Sequence, residues 1–455
     1  MKLPTGPKIP KLIQQFRFIL FPMSFLEDCT KRYGDIFTLQ FTYVSIVIIS
    51  NSKALQKLLN DREFIAPGDS NKVIEPVVGS NSVITISGEK HRRQRQLLMP
   101  PFHGDRMRTY GETINNITQE IIADWQTTEP FNVREEMQKI TLRVIMQAVF
   151  GLYKGKRAAE IENHIQEFLE AGGSPLGSMI LFFPKLQQDM GSLTPWGSFL
   201  YHREQADKLL YQEIDERRKN PDDSRTDIMS MLMASRDEQG EAMTDEELRD
   251  ELMTLLFAGH ETTATALTWA LYWIHKLPEV KEKLLAELDS LGENPDSNAI
   301  LKLPYLNAVY CETLRIYPVA MLTFRREVAS PVSLVGHELE PGTQVMGSIY
   351  SIHHDEDLYP EPNKFRPERF LERRFSAYEF IPFGGGTRRC IGMALAQFEM
   401  KLIPAKILLD LDLNLVTSGE VKAKRRGVVT GPNRPIEMVV NSKRVAKSRS
   451  LQTVG

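Results

Sequence analysis

Apolar residues in this chain recur mostly at helical spacing, and alternating β-type runs are few and short. The strongest helical pattern covers residues 244–276. Leu248, Leu252, Leu255, Leu256, Ala266, Leu267, Trp269, Ala270, Trp273 and Ile274 lie on more than one face, which predicts a buried helix. Thr244 and Glu247 have the spacing of a capping box, and Pro278 stands just past the end. At 1.5 Å per residue this helix is about 50 Å long, enough to cross a domain. Other helices are predicted over residues 18–33, 52–59, 88–98, 157–171 and 305–316, with two more between 106 and 151. Thr194 caps a long charged helix with Pro195 at its first position. After Cys390 a helix runs through Ala394, Leu395, Phe398 and Leu402, where Pro404 predicts a kink or an early end.

Residues 36–41 and 44–50 read as one hairpin, and residues 332–339 and 344–348 as another around a Pro-Gly turn. Residues 411–416 and 436–440 are late strands, and the turn near residues 428–432 is expected to reach a substrate pocket. Pro4, Pro7 and Pro10 make residues 1–12 an extended lead-in, and the basic run over residues 443–455 predicts a disordered tail. Residues 67–87 predict a long loop whose scattered apolar residues either touch a ligand or plug the core. No linker interrupts the series. The expectation is one mainly α domain, residues 1–455, with a small β-rich part.

Composition narrows the partners. The 455 residues carry a formal net charge of −3 with 42% hydrophobic positions, which gives no reason to expect nucleic acid. Cys29, Cys311 and Cys390 are far apart and form no CxxC pair, against a zinc cage or a disulfide framework. No window approaches the roughly 18 apolar residues of a membrane span. Arg17 and Pro22 break the best N-terminal stretch, so neither anchor nor signal peptide is expected. A cytoplasmic protein, at most peripheral on a membrane, follows. The apolar patch Met179–Ile180–Leu181–Phe182–Phe183 lines an entrance, touches a membrane or packs inside.

The candidate chemistry sits in FGGGTRRCIG, residues 383–392. Its three glycines let backbone pass close to a flat ligand, and Cys390 falls at the start of a helix. Free N–H groups there favour thiolate over thiol, as an axial metal ligand requires. Phe383, Gly386, Arg388, Cys390 and Gly392 match F-x-x-G-x-R-x-C-x-G. The segment resembles the cysteine loop of the cytochrome P-450 superfamily, the haem–thiolate monooxygenases. The resemblance implies haem b between the long central helix and the cysteine-bearing helix. It makes Cys390 the iron ligand, Arg388 a propionate partner and Phe383 a neighbour of the sulfur.

Further motifs extend the resemblance over nearly the whole chain. Gly259 and Glu261 are costly inside a buried helix. Ala258-Gly259-x-Glu261-Thr262 is similar to the family's oxygen-activating motif, which implies that Thr262 holds bound peroxide and its water and that Glu261 belongs to the proton route. His91 and Arg95 share a helix face, and the resemblance aims them at haem propionates. Arg92 and Arg93 point elsewhere. Glu312-x-x-Arg315 and the Arg369 of Pro-Glu-Arg-Phe imply a structural cluster behind the haem. Arg326 is a further propionate candidate, with Arg325 as the alternative. Ile74, Val77, Val83, Phe257, Val319, Ala320, Leu322 and Val429 are the candidate substrate-pocket residues.

No flavin or nicotinamide site is evident, and GGGTRR lacks both G-x-G-x-x-G and the Walker lysine. A separate electron donor, ferredoxin with its reductase, is expected to dock on a monomer, with Arg389, Lys401 and Lys406 as candidate basic contacts or plain solvated charges. The leading reading is hydroxylation or epoxidation of an apolar, lipid-like substrate (a fatty acid, alkane or terpene), as in bacterial relatives. The alternative is a haem–thiolate isomerase or dehydratase acting on a peroxide. Intact Glu261–Thr262 argues against it. A non-haem protein with a nucleophilic Cys390, or a plain binding module, is the third.

Overall fold

The computed structural model describes residues 3–104, 106–151, 155–173, 187–189, 191, 194–222, 224–426 and 429–444. Twelve helices of eight residues or more organise the described chain: α1 Lys11–Leu20, α2 Pro22–Tyr33, α3 Ser52–Asn60, α4 Gly88–Leu98, α5 Arg106–Ala123, α6 Val133–Phe150, α7 Lys156–Gly173, α8 Pro195–Lys219, α9 Asp245–Lys276, α10 Pro278–Asp289, α11 Pro304–Ile316 and α12 Met393–Asp410.

Helix α9 starts where the sequence places it, with Glu247 N donating to Thr244 Oγ1 and Thr244 N to the Glu247 carboxylate. Residues 248–256 and 263–272 are buried on all faces, and the helix packs along α6 and α12. Asn51 caps α3 by accepting from the N–H groups of Lys53 and Ala54. Thr194 caps α8, with Pro195 in its first turn. The large core cluster runs from Ile74 to Val440 and is drawn mainly from the helices.

The strands form small sheets at the sides of the helical core. β1 (Ile36–Gln40), β2 (Ser45–Ile49), β3 (Phe64–Ile65), β5 (Arg326–Val328) and β8 (Gln344–Gly347) make one sheet in the order β1-β2-β8-β5-β3. β4 (Phe131–Asn132), β9 (Leu411–Leu415) and β12 (Glu437–Lys443) make another, with β12 central. β6 (Val332–Leu334) pairs with β7 (His337–Leu339), and β10 (Ala423–Arg426) with β11 (Val429–Pro432).

Several expectations need correction. The span 332–339 is itself a hairpin, because Val335 and Gly336 both take positive φ (48° and 72°) and reverse the chain. A branched residue rarely takes that conformation, so the turn was hidden. Its supposed partner β8 instead lies parallel to β2 and antiparallel to β5. The lead-in ends at Pro10, where α1 begins. Buried Gln14 donates to the Pro7 and Ile9 carbonyls and accepts from Gln40 N, tying lead-in, α1 and β1 together. Pro404 does not end α12: the helix continues to Asp410 with Pro404 buried, held by packing on α5. Strand β12 extends to Lys443, so the tail begins later than the charge pattern suggested. Residues 179–183, residue 428 and residues 445–455 lie outside the described residues.

Candidate haem site

The cysteine loop is shaped by close approach. Gly386 has φ of 63°, and a Cβ there would stand 2.5 Å from the Leu59 carbonyl oxygen. Only glycine fits that turn without strain. Cys390 N donates to Phe383 O at 3.0 Å and closes the loop. The helix then starts at Met393 with Gly392 as its cap, two residues later than the sequence suggested. This changes the electrostatics. Burial pushes the Cys390 thiol up, against smaller downward pulls from the Gly392 N–H, Arg95 and Arg389. The expected helix-terminus effect therefore does not ionise the thiol by itself, and a bound metal cation is what would do so.

Cys390 is nonetheless exposed. A desolvated yet accessible side chain lines an interior space. Helix α9 shows the same signature at its midpoint: Ala258 is exposed and Phe257, Gly259 and Thr262 are half-buried, whereas Leu255, Leu256 and His260 are buried. Thr262 Oγ1 donates to Ala258 O at 2.6 Å, and the helix runs unbroken through this stretch. A Cβ on Gly259 would meet Ile145 at 3.0 Å, making this glycine a close contact to α6. Glu261 turns toward α6, where Arg134 Nη2 and Gln138 Nε2 donate to its two carboxylate oxygens at 2.5 and 2.8 Å.

Basic groups converge beside the loop, with no acid among the described residues to balance them. Arg388 is buried and spends its guanidinium on the carbonyls of Val83, Ala66 and Ile86. Arg326 is also buried, bonded to carbonyls of Phe324, Arg325 and Gly385. Burial pulls Arg326 down to about 10, and burial with Arg326 and Arg95 does the same to Arg388. His91 falls to about 4 through burial and the charges of Arg388, Arg95 and Arg326. Buried cations left this way are costly. A flat ligand with two carboxylates on one edge and a metal at its centre fits both features: the carboxylates answer His91, Arg95, Arg326 and Arg388, and the metal answers Cys390. Arg325 instead donates to Ser70 O.

Behind the loop, Glu312 is fully buried and bound by Arg315 (2.7 and 2.8 Å), Arg369 (3.1 Å) and the Arg366 N–H (2.8 Å). The three side chains expected to cluster do so. Arg315 also donates to His353 O, and His353 Nε2 accepts from Ile381 N, which links the cluster to the approach of the cysteine loop. Sequence reading missed His353. It also missed Glu399, a buried acid of α12 that hydrogen-bonds Thr263 of α9 and is pushed up to about 8 by burial. An isolated acid in the apolar run after Cys390 was its signal. Glu251, fully buried in α9, accepts from Val83 N at 2.8 Å and was likewise unnoticed.

The pocket candidates divide. Ile74, Val77 and Val83 are buried in the main core cluster. Val429 is buried on α9 beside Thr430, whose carbonyl accepts from Trp269 Nε1. Phe257, Val319 and Leu322 are half-buried, and Ala320 is exposed. Arg93 points away from the loop and pairs with Asp237 and Glu247. Of the three proposed docking cations, Lys401 lies over the Tyr310 ring and Lys406 pairs with Asp410, so Arg389 alone remains exposed.

The family model for cytochrome P-450 matches residues 4–439, and the chain belongs to that family. The Mycobacterium tuberculosis protein named Putative cytochrome P-450 135B1 is 34% identical over 458 residues, covering 100% of this chain and 94% of its own. Putative cytochrome P-450 138 of the same organism is 33% identical over 436 residues, covering 95% of each. The retinoic acid-bound cyanobacterial CYP120A1 superposes with a TM-score of 0.82 at 25% identity, over 97% of this chain and 100% of that one. The protein is thus a haem b-binding monooxygenase of the haem–thiolate type, using O2, a substrate and a redox partner.

Proposed function

We propose that this monooxygenase hydroxylates or epoxidises an apolar, lipid-like molecule, with Cys390 as iron ligand and electrons from a separate ferredoxin. The observation that carries the reading is the pairing of an accessible but desolvated Cys390 with the accessible patch around Ala258–Thr262 on a buried helix. Bound haem supplies O2 activation, which a thiolate ligand favours by pushing electron density toward O–O cleavage. His91, Arg95, Arg326 and Arg388 hold the carboxylate edge of the cofactor and fix its orientation. Thr262 presents a hydroxyl to the same space, its O–H now donated to Ala258 O and free to be re-aimed by one χ1 rotation. Glu261, anchored by Arg134 and Gln138, stands next to it as the carboxylate of a route to solvent. Phe257, Val319, Ala320 and Leu322 offer apolar surface and no charge, which suits a hydrocarbon substrate better than a polar one. The retinoic acid in CYP120A1, an apolar polyene acid, supports the same class.

The whole span is read as one domain, since one core cluster draws on residues from Ile74 to Val440. Peripheral membrane contact has support at the N-terminal end. Leu12, Ile13, Phe16, Leu20 and Phe21 are exposed on and just after α1, and no helix among the described residues is long and apolar enough to cross a membrane. Turnover with ferredoxin, its reductase and a nicotinamide reductant under isotopically labelled O2, against a panel of fatty acids and terpenes, tests the function. One labelled oxygen per product supports it. Unlabelled product formed from a peroxide without reductant favours the isomerase reading.

A further inference from the structure

One cluster of ligating side chains far along the chain from the cysteine loop has no part in this chemistry. His164 and Glu167 stand three residues apart on α7 and so share a face, and His202 meets them from α8. One ligating atom from each lies within 4.8 Å of the other two. The two imidazole centroids are 5.8 Å apart. His202 Nδ1 is 2.8 Å from Glu167 Oε2, yet the contact is not aligned as a hydrogen bond. Nδ1 of His164 and Nδ1 of His202 are both buried, and neither has a hydrogen-bond partner among the described residues.

Buried ring nitrogens are normally satisfied, so two orphaned ones beside a carboxylate need an explanation. A histidine–carboxylate ion pair accounts for His202 and Glu167 alone. It leaves His164 Nδ1 unanswered, and it predicts an aligned bond that is not there. A metal ion at the centre answers all three groups together. We propose that His164, Glu167 and His202 bind one divalent transition-metal ion that ties α7 to α8.

Two imidazoles and one carboxylate are a ligand set that zinc takes readily, with water in the fourth tetrahedral position. Bonds of about 2.0–2.1 Å place tetrahedral ligand atoms roughly 3.3 Å apart. The donor atoms here are already within 4.8 Å, so side-chain rotation closes the site without moving either helix axis far. Glu167 is exposed, which gives the ion a path in and water access to the open position. His164 and His202 are 38 positions apart (202 − 164). A metal joining them closes that length of chain into a loop, the arrangement in which a metal clip most restrains a segment.

The test is zinc titration of the full-length, haem-loaded protein after removal of adventitious metal with a chelator. A chromophoric zinc indicator and the melting temperature are the readouts. The expected result is one zinc per chain and a melting temperature that rises with zinc. His164→Ala and His202→Ala should each weaken binding on the order of 100-fold, and Glu167→Gln about tenfold. His103→Ala, an exposed histidine elsewhere, should leave it unchanged. His164→Gln and His202→Gln retain bulk and polarity, so the same loss in these variants, with normal haem content, separates ligation from folding. Binding that survives both histidine substitutions, or no binding by the wild-type chain at 50-fold excess zinc, overturns the site.

Discussion

Arg134 on α6 reaches across to Glu261 on α9 and donates Nη2 to its Oε1 at 2.5 Å, while Gln138, one turn further on, holds the other oxygen. The acid of the oxygen-activating motif is therefore oriented by the neighbouring helix and not by its own. Both side chains are about a quarter or less exposed, 24% for Arg134 and 21% for Glu261. Partial solvation limits what the pair is worth. Removing Arg134 should cost about 1 kcal/mol of stability, and an Arg134→Ala/Glu261→Ala cycle in urea should return most of that as coupling.

The same geometry gives a functional prediction. Thr262→Ala should keep the haem spectrum but lower product formed per electron consumed. Arg134→Ala should cause a smaller drop, because Gln138 still holds one oxygen of Glu261. Comparing product with reductant oxidised measures both. Full coupling in the Thr262 variant would remove that residue from the proton route.

Arg315→Ala should be far more damaging. It strips the main partner from Glu312, which has no solvent to fall back on. Removing one partner of a buried charge costs about 3–5 kcal/mol, and Arg369 and the Arg366 N–H, which stay on Glu312, put this variant at the lower end. The expected outcome is a large loss in the denaturant midpoint together with poor haem retention, since His353 and Ile381 hang on the same cluster.

Glu399 predicts a pH dependence of stability. Its folded-state value, about 8, lies above the ordinary 4.5 because burial opposes the charge. The folded chain therefore holds the proton more tightly than the unfolded one. That contribution is fully present below about pH 4.5 and is lost as pH rises through about 8. Glu399→Gln removes the titration while retaining a hydrogen-bonding group for Thr263. The variant should gain on the wild type between pH 5 and pH 8, by up to a few kcal/mol. Parallel melting curves at every pH would contradict this.

Much of this was readable in the chain because the decisive residues break local rules. Gly259 and Glu261 are wrong for a buried helix, and the triple glycine before Cys390 is wrong for anything but a tight approach. Such violations mark sites. The capping box at Thr244 and the Thr194 cap were legible for a different reason: their partners are three residues away. What stayed hidden depends on distant neighbours. Glu251 is explained by the Val83 N–H, Arg93 by Asp237 and Glu247, and Glu399 by Thr263 across a helix interface. Pro404 illustrates the reverse case, a local signal overruled when tertiary packing on α5 holds the helix together.

Gly386→Ala tests how the loop is built. The new methyl would enter a left-handed backbone position 2.5 Å from the Leu59 carbonyl. The loop must shift, and the cysteine with it. Haem content per mole of protein should fall sharply, while Gly259→Ala, which meets only a movable Ile145 methyl, should retain it.

The account rests on Cys390 as a thiolate ligand, and the spectrum of the reduced, CO-bound protein reports on that bond directly. The wild-type chain should give the strongly red-shifted Soret band of a thiolate-ligated haem, and Cys390→Ala should lose it. A wild-type band at the position seen with a histidine or neutral-thiol ligand, or an unchanged band in Cys390→Ala, would contradict the assignment.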